Sequence, residues 1–228
     1  MAGPATLAVL VFQAGTFALF AEAVRRRHTP AAVNALGAFV LAALPVLVQA
    51  VSTVSVGAAL PVWLAAAAFL HSLGMLGLYD SVWWWDHLTH TISGLLVAAL
   101  VYAACLVALP ARAGIDGRPA IAAVTLVFAF AAGVFWELIE LAAREVSRRY
   151  DIDELLVYYG WQDTALDLVF DVLAAVAVVA LDLRLFVSLV EQFPRATGTA
   201  LLGSGGVVVG GSVLLAAFVW FGRLAPED

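Results

Sequence analysis

HLTHTISGLLVAALVYAACLVAL, residues 87–109, is a continuous apolar run entered through two histidines. A helix needs about 20 mostly apolar residues to cross a bilayer, and this run has that length with no charged side chain beyond His90. Hydrocarbon tolerates only helices and closed barrels, because an unpaired backbone group finds no water there. The apolar residues are consecutive and do not alternate as barrel strands do, so the segment is a transmembrane helix.

Outward from it, further apolar runs lie at about 4–24, 31–51, 57–78, 119–142, 163–183 and 199–221. Together they predict an all-α fold, a polytopic transmembrane helical bundle of about seven spans forming a single integral membrane domain over residues 1–228. Composition agrees: 64% of residues are hydrophobic and 12% charged, against roughly 45–50% and about 25% in soluble domains. The net charge is −6 and no residue is lysine. This acidic balance argues against a nucleic-acid partner or a polybasic lipid-binding surface. A lysine-free, Ala/Val-rich acidic chain fits a GC-rich genome or a halophile. Cys105, the single cysteine, rules out an internal disulfide framework or thiolate cluster and reads as a small buried apolar residue.

The first run is followed, not preceded, by Arg25-Arg26-Arg27, which marks an uncleaved anchor with its N-terminus outside. Seven spans put Arg25, Arg26, Arg27, Arg144, Arg148, Arg149 and Arg223 on one face, and Arg112, Arg118, Arg184 and Arg195 on the other. Positive residues gather inside, so the expected location is a prokaryotic plasma membrane with the C-terminus in the cytoplasm. Trp83-Trp84-Trp85 reads as an interface anchor, and Glu22 as an ion-pair partner of the following arginines. The acidic, tyrosine-rich connector ending at Gln162 has the length of a short interfacial helix. Gly206 and Gly210 form a GxxxG step, a sign of close helix packing, and no internal repeat is visible.

Ionisable groups within spans cost roughly 2.5–3.5 kcal/mol each at mid-membrane, so each one is a candidate functional residue. Span four opens with Asp86-His87-Leu88-Thr89-His90, which puts His87 and His90 three apart and Asp86 and His90 four apart on one helical face. Span five ends with Glu137 and Glu140, three apart. Span six opens with Asp163, Asp167 and Asp171, a stripe at four-residue steps that cannot face lipid. Seven-span topology brings these three helix ends to the same membrane face, with His71 approaching it. Two imidazoles and up to five carboxylates at one depth repel one another unless neutralised. Facing helices of bundles build metal centres from such sets, and nitrogen and oxygen donors suit zinc, iron or manganese.

This reading makes His87, His90, Glu137, Asp163 and Asp167 candidate ligands of a divalent metal, and Glu140 and Asp171 candidate catalytic bases. Structural accounts stand beside it. Arg144, four residues beyond Glu140, can pair with the glutamates. Asp163 reads more simply as the N-cap of span six. The histidines beside Trp83–Trp85 can bond to backbone or water.

Asp86-His87 with Ser93-Gly94, Trp136-Glu137 with Glu140, and Asp163-Thr164 with Asp167 and Asp171 resemble the YjdF-like family of prokaryotic integral membrane proteins, a domain of unknown function. They are more distantly similar to VanZ-like membrane proteins. The resemblance covers about residues 78–182. Leu173-Ala174-Ala175 stands where that family commonly has a glycine. What the resemblance implies is an integral membrane protein whose acidic and histidine positions matter; it supplies no substrate.

Three functions follow. The first is a metal-dependent enzyme acting on a lipid or other amphiphile at the cytoplasmic interface. The second is a structural or accessory subunit, locked by its polar network and bound to a membrane-protein partner or to copies of itself. The third is a proton- or cation-coupled transporter using Asp163, Asp167 and Asp171 as a relay.

Overall fold

The computed structural model describes residues 3–222; Arg223 lies outside the described residues, as does the side chain of Arg112. Helix α1 spans Pro4–Arg25, with proline in its first turn where its fixed φ suits helix entry. Glu22 accepts from Arg25 Nε at 2.6 Å and from Arg26 Nε at 2.7 Å, the expected ion pairs. Arg27 takes a left-handed conformation with φ 57°, and His28 Nδ1 then caps α2, Thr29–Val51, by accepting from the Ala31 amide.

Helix α3, Ala59–Leu73, continues through a π-helical stretch, Gly74–Leu78, into a short turn α4, Tyr79–Ser81. Gly77 within it has φ +122°, which only glycine adopts without strain. Gly74 lies against the Tyr79 ring, where a Cβ would collide with it. The third crossing therefore ends at Ser81, a little beyond its sequence boundary.

Helix α5 spans Trp85–Ala113 and α6 Arg118–Tyr150. Helix α7 spans Trp161–Ala180, α8 is a short turn at Val187–Val190, and α9 spans Pro194–Gly222. Six helices are long and apolar enough to cross a membrane: Pro4–Arg25, Thr29–Val51, Ala59–Ser81, Trp85–Pro110, Arg118–Tyr150 and Pro194–Gly222. The seventh, α7, has 20 residues, about 30 Å of helix, but its aspartates interrupt the apolar run. It packs between α5 and α6. The result is an all-helical polytopic bundle of about seven spans.

Helices α1, α2 and α3 pack on one another, and α5, α6, α7 and α9 form the second group, joined to the first where α3 meets α5. The core lies along α5, where Ala98, Ala99, Tyr102, Ala103 and Cys105 are buried against Ala175 and Val178 of α7 and Ala129 of α6. Small residues here let the backbones approach closely, as they do between membrane helices generally. Leu7, Val40, Val127 and Leu214 point outward, consistent with a lipid-facing surface.

Three local expectations are corrected. The connector after α6 forms no helix over 151–160; its groups are engaged elsewhere, Leu155 O accepting from Asn34 Nδ2 at 2.6 Å and Tyr159 OH donating to Asp80 at 2.9 Å. Asp163 is not an N-cap, because α7 begins at Trp161 behind Gly160. A Cβ on Gly206 or Gly210 would meet nothing within 4 Å among the described residues, so their step finds no close packing there, whereas Gly205 and Gly211 meet Phe128 and Phe135 of α6.

Candidate functional site

The first turns of α5, the second half of α6 and the N-terminal part of α7 meet in one polar chamber, an arrangement that keeps their ionisable faces out of hydrocarbon. His87, His90, Glu137, Asp167 and Asp171 are all buried there, with Glu137 4% and Asp167 2% exposed. His87 Nδ1 bonds Asp167 Oδ1 at 2.8 Å, and its ring stacks on Phe170 with centroids 5.0 Å apart. Those two contacts fix the imidazole in position and orientation.

His90 sits centrally. Its Nε2 faces Asp86 Oδ1 at 3.9 Å and Glu137 Oε1 at 4.0 Å, and its Nδ1 faces Asp171 Oδ2 at 3.6 Å. These separations exceed hydrogen-bond length. Glu137 Oε2 accepts a 2.6 Å bond from Thr164, while Glu137 Oε1 is buried with no hydrogen-bond partner. A buried orphan carboxylate oxygen is costly, so this atom faces a position where a positive group would stabilise it.

Two sets of potential ligand atoms each gather within 4.8 Å: Asp86, His90 and Asp167, and His87, Asp163 and Asp167. Asp86 was the residue the sequence undervalued. It ends the aromatic interface cluster, and its four-residue spacing to His90 was the signal that pointed to it. Thr164 carries no such signal, since its bond to Glu137 spans 27 residues.

Glu140 stands apart from these sets, accepting from Trp136 Nε1 at 2.9 Å. Arg144 does not form the expected pair with it; the guanidinium lies 5.4 Å from the Tyr158 ring centroid instead, and Arg148 pairs with Glu145. His71 stays outside the chamber but is tied to it. Its Nδ1 bonds Tyr79 OH at 2.8 Å and its Nε2 faces Asn34 Oδ1 at 3.3 Å; Tyr79 OH in turn reaches Thr89, which bonds the Asp86 carbonyl.

Close approach of the three helices depends on two glycines. A Cβ on Gly94 of α5 would lie 2.8 Å from Asp171 Oδ1, and one on Gly133 of α6 would lie 2.6 Å from Asp171 Oδ2. Ala174 and Ala175, both buried, keep this packing tight without the expected glycine in α7.

Beside the chamber, on the same face, a cavity of about 300 Å³ is lined by Arg27, His28, Tyr79, Asp80, Glu154 and Tyr159 among others. Burial pushes the Tyr159 phenol above its ordinary range, with the Asp80 bond adding to it. At the opposite face, the Arg184 bond and then Tyr102 hold the Asp182 carboxyl below the usual carboxylate range.

No curated protein and no solved structure matches the chain. A family described as Predicted membrane protein (DUF2238) matches residues 7–188, reaching well beyond the stretch that carried the sequence resemblance. The chain belongs to this DUF2238 family of membrane proteins.

Proposed function

We propose that the chain is a metal-dependent membrane enzyme acting on a lipid or other amphiphile at the cytoplasmic interface. The observation that carries this reading is Glu137 Oε1, buried and without a hydrogen-bond partner, 4.0 Å from His90 Nε2. Ligands at 2.0–2.1 Å from a tetrahedral ion stand about 3.4 Å apart, so a small inward movement brings this oxygen, Asp86 and His90 onto one cation. Zinc, iron and manganese accept such nitrogen and oxygen sets.

A bound metal would supply Lewis acidity. Asp171, on the far side of the His90 ring and 3.6 Å from its Nδ1, would hold the imidazole after a small inward movement, as carboxylates commonly do behind metal-ligating histidines. This makes it a positioning residue. Glu140, bonded only to Trp136 among the described groups, remains to take a proton from an attacking water. Hydrolysis or group transfer suits these parts.

The site shares its membrane face with Arg25, Arg26, Arg27, Arg144, Arg148 and Arg149. That bias supports a cytoplasmic site and an external N-terminus. The place of the chamber near the ends of helices long and apolar enough to cross a membrane supports an amphiphilic substrate.

Elemental analysis of protein purified in mild detergent tests the reading. Stoichiometric zinc, iron or manganese, lost in Glu137→Gln, is the expected result; no metal above background in the parent chain would overturn it.

A further inference from the structure

We infer that the chamber takes two divalent cations, one on His90 and one on His87, with the Asp167 carboxylate shared between them. This rests on the metal reading above and goes beyond it. The two ligand sets have Asp167 in common and otherwise share no residue. Asp86 and His90 belong to the first, joined by Glu137 through its unpartnered oxygen; His87 and Asp163 belong to the second.

Spacing along α5 favours a pair over a single ion. His87 and His90 are three residues apart, about 4.5 Å of helix rise, close to the 3.5–4 Å that separates the ions of two-metal sites. His87 and His90 also fall in different ligand sets, so among the described residues no single group of atoms within 4.8 Å offers both imidazoles to one cation. The 2.8 Å between His87 Nδ1 and Asp167 Oδ1 also matches the edge of an octahedral shell, about 3.0 Å for ligands at 2.1 Å.

Charge balance points the same way. Asp86, Glu137, Asp163, Asp167 and Asp171 bring five formal negative charges around the two imidazoles. One divalent cation leaves three of those charges uncompensated in a buried space; two leave one. The nearby arginines of α6 do not make up the difference, since Arg144 lies on Tyr158 and Arg148 pairs with Glu145.

The test uses the full chain in detergent, stripped with chelator and titrated with manganese(II) alone. Equilibrium dialysis is expected to give two manganese ions per chain, with the electron paramagnetic resonance spectrum of a spin-coupled pair. Asp163→Asn is expected to bind one ion and show the six-line signal of isolated manganese(II). One ion in the parent chain overturns the pair and leaves the enzyme reading standing, whereas none overturns both. An Asp163→Asn protein that still binds two coupled ions also overturns the assignment. Its melting curve and elution volume are compared with the parent, and the parent stoichiometry decides by itself should the variant misfold.

Discussion

Asp171 Oδ2 lies 3.6 Å from His90 Nδ1, across the ring from the nitrogen that Asp86 and Glu137 face. The carboxylate thus addresses the imidazole from behind, without joining either ligand set. Asp171→Asn is therefore expected to weaken metal binding by about 10–100-fold without abolishing it, measured by competition with a chromophoric chelator. Unchanged affinity would remove Asp171 from the site.

Glu137 makes the opposite prediction for the metal-free protein. Its unpartnered oxygen is a liability when no cation is present, and an amide keeps the Thr164 contact while discarding the charge. Glu137→Gln should raise the melting temperature of the metal-free form, by up to about 1–3 kcal/mol of stability, and shrink the further rise caused by added manganese. A variant less stable than the parent in chelator would mean that the glutamate is already compensated.

Glycines in the bundle should divide by what they face. Gly133→Ala places a carbon 2.6 Å from Asp171 Oδ2 and 3.0 Å from Leu168 Cδ2, and should cost about 1–3 kcal/mol through overpacking. Gly206→Ala meets open space and should be neutral, or stabilising by up to about 1 kcal/mol through helix propensity. Thermal melts of both variants in the same detergent compare them directly; equal losses would refute the packing assigned to α7.

Far from the chamber, Tyr102 OH donates to Asp182 Oδ1 at 2.6 Å. Asp182 has a depressed carboxyl pKa in the folded chain, held by Arg184 and then by Tyr102. A depressed folded value stabilises above the unfolded pKa of about 3.9 and is lost as pH falls through the folded value. Tyr102→Phe should therefore melt below the parent at pH 7, with the difference closing in acid below about pH 4. A gap that persists there would assign the loss to packing of the ring.

Much of the fold was legible because hydropathy alone identifies helices that must satisfy their own backbone in lipid. Helix α7 is legible as an apolar run too, although three aspartates at four-residue steps place one polar stripe along it. The same periodicity put His87 and His90, Glu137, and Asp163 and Asp167 on faces that the topology then brought together. Spacing fixes which side chains share a face, but not what that face meets. Hence the spacing puts Asp86 beside His90 without showing that Asp167 joins them, and sets Arg144 within reach of Glu140 although it lies on Tyr158. The connector failed for the same reason, because Asn34 holds it from 121 residues away.

The acidic stripe on α7 also bears on how the chain is made. Three aspartates, each opposed by roughly 2.5–3.5 kcal/mol near the bilayer centre and less toward its edge, leave this helix a poor candidate for leaving the translocon unaided. Helices α5 and α6 are synthesised earlier, and they carry the imidazoles and the glycine notches that receive the stripe. Chain order thus puts the hosts before the guest: the α5–α6 hairpin is made before the helix whose acidic stripe it shelters.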